Sequence, residues 1–103
     1  MSRLVDVICT IDEYEKGVEG GKSLVEEHLV VVSYVIPAKV LVSSGKKVKL
    51  TDSAMLILKS KDVVFHNKLS PRLKELSFQN GVVLPIVDVV PDYRAWVEKE
   101  VYE

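Results

Sequence analysis

No disulfide can form within this chain, because Cys9 is its single cysteine. That suits a reducing compartment and removes the small disulfide-stapled folds from consideration. Asparagine and glutamine together number three, Asn67, Gln79 and Asn80, while lysine, glutamate and valine are abundant. Scarce amides beside plentiful charge make a thermophile-like composition. Aromatic residues are 7% of the chain, and one tryptophan, Trp96, is present. Long apolar runs are missing as well. The longest, Leu29 to Val42, is interrupted by Ser33, Pro37 and Lys39, and is shorter than the ~20 residues that span a bilayer. Asp6 arrives too early for the apolar region of a signal peptide. The expectation is a cytoplasmic protein without a membrane partner.

What the chain does contain is valine, at 20 of 103 positions. Its branched Cβ fixes χ1 and packs well on a pleated surface, so runs such as Leu29 to Val32 and Gly81 to Leu84 favour strands. A length of 103 residues with 48% hydrophobic and 28% charged residues fits a single domain, 1–103, large enough for its own core.

Residues 3–11 alternate, with Val5, Val7, Cys9 and Ile11 on one face, and read as a half-buried strand. Residues 12–22 are acidic and glycine-rich and read as a loop. Ser23 and Glu26 then form a capping-box pattern at the start of a short helix. Over about 29–66, short apolar segments separated by turns at 43–46, 51–53 and 60–62 predict an antiparallel meander. Ser70 and Pro71 open a helix that Gly81 stops. Val82–Val90 is a further strand, and Pro91 and Asp92 open a terminal helix. The fold class is α+β, a mostly antiparallel sheet with two or three helices packed on one side.

Catalytic signatures are weak. Gly17 to Ser23 resembles a phosphate loop, but three residues rather than four separate Gly17 from Gly21, and Glu15 and Glu19 would repel a phosphate. Cys9, His28 and His66 lack metal-ligand spacing, so no metal site is assigned. No nucleophile elbow marks a hydrolase. Asp6, Asp12 and Glu13 near a strand end allow a metal-dependent nuclease, although acids there are more often solvated loop residues. The balance leans away from an enzyme, with no catalytic residue and no cofactor assigned.

Charge is unevenly distributed. Residues 12–27 carry six acids against two lysines, a net −4. Residues 39–75 carry nine basic residues against three acids, a net +6, and residues 88–103 carry a net −3. Lys46, Lys47, Lys49, Lys59, Lys61, Lys68 and Arg72 are therefore the candidate phosphate-binding or nucleic-acid-binding residues. Against that reading, only Phe65 interleaves with them for base stacking, and arginine is scarce. The plainer account is that lysines keep strand edges soluble and pair with the acidic ends. The apolar density of Val82 to Val90, with Tyr93, Trp96 and Tyr102, suits a face that meets another chain. The sequence thus points first to a small non-catalytic binding protein, an accessory, regulatory or assembly subunit that forms a homodimer or engages another protein. Nucleic-acid binding is the alternative, and a small nuclease comes third.

Overall fold

The computed structural model describes residues 2–103. In chain order the elements are β1 (Leu4–Ile11), α1 (Tyr14–Glu26), β2 (Val32–Ser44) and β3 (Lys47–Lys61). A helical turn, α2 (Asp62–Val64), and a π-helical turn (Phe65–Leu69) lead into α3 (Ser70–Glu75), followed by β4 (Gln79–Pro85) and α4 (Pro91–Glu100). The four strands form one antiparallel sheet in the order β2-β3-β1-β4. The α+β class expected from the valine-rich pattern is the one observed.

β1 shows how the core is built. Val5, Val7, Cys9 and Ile11 are all buried on the face that α1 covers, while Asp6, Ile8 and Thr10 alternate to the opposite face and stay half-buried. On β3 the same register buries Ala54, Leu56 and Leu58 beside them. Leu24, Val64, Leu69 and Leu73 close the layer from the helices. A thiol inside this layer is costly to ionise, and burial pushes Cys9 up to about 12.

The segment read as a glycine-rich loop is a helix. Gly17, Gly20 and Gly21 are spaced i, i+3, i+4 and face inward together with Leu24. A Cβ on Gly17 would stand 2.9 Å from the Cβ of Ala54, and one on Gly21 would stand 3.1 Å from that of Ser33. The glycines are there for close helix–sheet approach, and that packing outweighs their poor helix propensity. Ser23 lies inside this helix, whose N-cap is Glu13. The resemblance to a phosphate loop therefore ends here, because the backbone amides of residues 17–23 lie within the helix.

Helix ends also differ from expectation. α1 finishes with His28 at φ 60° and α3 with Ser77 at φ 68°. In both, two backbone bonds close the end in a Schellman pattern: Leu29 N–H to Leu24 O and His28 N–H to Val25 O, then Phe78 N–H to Leu73 O and Ser77 N–H to Lys74 O. Ser77 rather than Gly81 is the stop, and Gly81 lies within β4. Ser70 is not a helix start, since helical backbone already runs from Asp62. β4 ends at Pro85, short of the strand expected to Val90.

The meander expected over 29–66 is one long hairpin. Thr51, Asp52 and Ser53 do not turn; they pair with Val40, Lys39 and Ala38. Pro37 is tolerated because β2 is an edge strand, where a missing N–H on the outer side removes no ladder bond. Gly45, at φ 64°, closes the turn.

Alanine at Gly17 should therefore destabilise the protein by about 1–3 kcal/mol through overpacking, against its better helix propensity. Alanine at Gly81, which has nothing within 4 Å of the added Cβ, should be near neutral. Urea midpoints of the two variants check this contrast.

Candidate functional site

β1 pairs with β3 only from Leu4 opposite Lys61 to Ile11 opposite Ala54. Beyond Ala54, residues 38–44 of β2 and 47–53 of β3 pair with each other alone, so the hairpin leaves the body as a two-stranded arm. The molecule is 44 Å long and 26 by 23 Å across. Apolar side chains are exposed along the arm: Leu41 at 66%, opposite Leu50 at 57%, and Val48 at 69%. Where the arm leaves the body, Asp12, Glu13, Tyr14 and Glu15 face Pro37, Lys39, Asp52 and Ser53 across a groove of about 630 Å³.

The sheet face opposite α1 is incompletely covered. Tyr34 and Ile36 on β2 and Val82 and Leu84 on β4 are exposed. Between them lie half-buried Ile57, Met55 and Ile8. At one end of this face is a polar group that the sequence pattern does not assemble. Lys59 Nζ donates to Asp6 Oδ2 at 2.8 Å and lies 5.9 Å from the Tyr34 ring. Asp6 Oδ1 is buried without a partner among the described residues. Burial, with the negative charge of Asp6 and the nearby Tyr34, pushes Tyr93 of α4 up to about 12. The available signal is Asp6, the one acid within an otherwise apolar alternation, opposite Lys59.

The seven candidate phosphate-binding residues divide sharply. Lys59 is paired with Asp6. Lys61 is only 2% exposed, and its ammonium lies between Glu98 Oε2 at 3.4 Å and Glu103 Oε2 at 3.3 Å. Arg72 holds Glu27 through two bonds of 2.9 Å, which keeps the Glu27 carboxyl below its usual range, and also reaches Glu75 at 3.9 Å. Lys46, Lys47 and Lys49 are brought together at the arm tip, while Lys68 lies apart on the π-helical turn. Four of the seven thus remain exposed without an ion pair among the described residues. The acids considered for a nuclease do not converge on a metal. Asp6 is paired with Lys59, and no group of three or more His, Cys, Asp or Glu that could hold a metal occurs among the described residues.

His28 fastens the C-terminal segment. Its Nδ1–H donates to the Glu100 carbonyl at 3.0 Å, its ring stacks on Tyr102 at 4.0 Å, and Tyr102 N–H donates to the His28 carbonyl. No helix is long and apolar enough to cross a membrane.

The α1-covered antiparallel sheet with a projecting hairpin defines a small α+β protein of the architecture seen in CutA1 structures. CutA1 from Oryza sativa superposes with a TM-score of 0.88 at 21% identity, covering 98% of this chain and 95% of that one. The divalent cation tolerance protein (CutA1) from Thermus thermophilus gives 0.88 at 24% identity, over 96% and 99%. The periplasmic divalent cation tolerance protein CutA from Archaeoglobus fulgidus gives 0.87 at 18%, over 96% and 99%. At these identities the likeness is one of fold. No protein-family model matches the chain, and no curated protein matches it.

Two outcomes follow from the buried charges. Removing both acids with Glu98→Gln and Glu103→Gln should lower the denaturation midpoint more than Lys61→Met, because the first leaves a buried ammonium unpaired and the second removes it. Tyr93 and Cys9 both have raised pKa values in the fold, so their contribution is complete below the unfolded values and is lost on going to alkaline pH. For Tyr93 that window runs from 10 to about 12. Stability measured across it should decline less steeply in Tyr93→Phe than in the parent.

Proposed function

We propose that the chain is a small non-catalytic binding protein, an accessory, regulatory or assembly subunit, that works as a homo-oligomer. The observation that carries this reading is the arm. A two-stranded ribbon is marginal in water unless something packs on it. This one exposes Leu41, Val48 and Leu50, and Tyr34, Ile36, Val82 and Leu84 are exposed on the sheet. Apolar surface of this extent supports association. Both outer strands, β2 and β4, have open edges that could serve it. A second copy is the occupant available to every copy of the chain, and closed symmetric assemblies are the common form such contacts take.

The CutA1 likeness supports a binding role over a catalytic one. Two of the similar structures are described as divalent cation tolerance proteins, and a role in the response to divalent cations is the activity to test once assembly is established. The free, buried Cys9 fits work in the cytoplasm.

Light scattering on a sizing column should give one defined mass above that of the 11.5 kDa protomer. Replacing Leu41 and Leu50 with serine should weaken that assembly by about 2–4 kcal/mol while leaving the fold intact by circular dichroism. A wild-type protein that elutes as a monomer at every concentration refutes the reading.

A further inference from the structure

Trp96, the single tryptophan of the chain, is 46% exposed, although its neighbour Val97 is fully buried. It lines a cleft of about 180 Å³ where the C-terminal ends of α1 and α4 meet. Trp96 and Glu100 lie one turn apart on α4. They line the cleft with Val25 and His28 from the end of α1 and with the buried Val30 and Val31 that follow. Its aromatic groups are already held in place. The Trp96 ring lies edge-on to Tyr93 at 6.4 Å, and the His28 ring is bonded to the Glu100 carbonyl and stacked on Tyr102. Walls fixed in this way need little ordering to receive a ligand.

Charge decides which ligand suits the cleft. The two acidic segments of the sequence, 12–27 and 88–103, come together here. Several of their carboxylates are engaged, since Arg72 holds Glu27 and Lys61 lies between Glu98 and Glu103. Glu26 and Glu100 make no ion pair among the described residues. Among those residues, none lining the cleft is a lysine or arginine, so an anion would meet Glu100 with nothing to offset it. A metal ion lacks ligands, because no group of three or more His, Cys, Asp or Glu occurs among the described residues. An organic cation meets a carboxylate and an indole, the best aromatic partner for an ammonium. Val25, Val30 and Val31 suit an alkyl stem. Size narrows the choice further. At ~30 Å³ per water the cleft holds about six waters, well below the ~300–1,000 Å³ of sites for drug-sized ligands. We propose that this cleft binds a short alkylammonium ion, its ammonium between Trp96 and Glu100 and its carbon chain on the three valines. The site lies within one copy of the chain and does not depend on self-association.

Because Trp96 is the only tryptophan, its fluorescence reports on the cleft directly. The wild-type chain is titrated with butylammonium chloride at constant ionic strength, with butanol and sodium butyrate as neutral and anionic matches of similar shape. Butylammonium should give a saturable change with a dissociation constant on the order of 1 mM, which is what about five heavy atoms supply. Butanol and butyrate should bind at least about tenfold more weakly. Glu100→Gln keeps the backbone carbonyl that holds His28 and should weaken butylammonium on the order of tenfold. Trp96→Leu, checked for fold by circular dichroism and followed by calorimetry, should lose most of the affinity. Butanol binding as tightly as butylammonium overturns the cation site, and so does an unchanged affinity in Glu100→Gln. Failure of the wild type to saturate by roughly 100 mM overturns the cleft as a ligand site, as does an unchanged affinity in Trp96→Leu.

Discussion

The ladder between β1 and β3 is the interaction on which the rest of the molecule depends. It places Val5, Val7, Cys9 and Ile11 beside Leu58, Leu56 and Ala54 as one apolar surface. α1 can settle close to that surface because glycines replace side chains where it crosses Ala54 and Ser33. The ladder also ends abruptly. Once β1 turns away after Ile11, β3 and β2 continue with no neighbour but each other, and an interior sheet becomes an exposed arm. Core and projecting surface are two consequences of a single strand's length.

Charge is organised around the same geometry. Cations near the body are matched by acids brought in from distant parts of the chain: Lys59 by Asp6, Lys61 by Glu98 and Glu103, Arg72 by Glu27. The basic centre that stands out in sequence is thus partly neutralised where the chain is compact, with Lys68 and Lys74 exposed and without an ion pair among the described residues. It also persists at Lys46 and Lys47, because the turn of a hairpin has few neighbours beyond its own two strands. A net charge of −1 conceals this separation.

Much of the fold is legible in the sequence, and the misreadings share a cause. The strand alternation of residues 3–11, the helix start at Pro91 and the β-branched run from Gly81 to Leu84 are local signals that act over a few residues, and the structure bears them out. Gly17, Gly20 and Gly21 read as loop formers because glycine has the poorest helix propensity after proline. Their i, i+3, i+4 spacing signifies a flat helical face, whose value depends on Ser33 and Ala54 in strands further along the chain. Thr51, Asp52 and Ser53 look like a turn by composition, but a partner strand holds them extended. The candidate lysines stand out as a group, yet which of them are free depends on where their partners are placed.

The sequence by itself determined the class: an α+β fold, built on β-branched strands, without a disulfide framework and without a recognisable catalytic motif. Those properties rest on side-chain shape, composition and short-range periodicity, which require no knowledge of what lies across the fold. Tertiary structure alone decided that a glycine-rich stretch is a packed helix, that a basic run divides into paired and unpaired lysines, and that one hairpin outruns its sheet. Each depends on contacts between residues far apart in the chain, and the free energy of such contacts exists only once the chain has closed on itself.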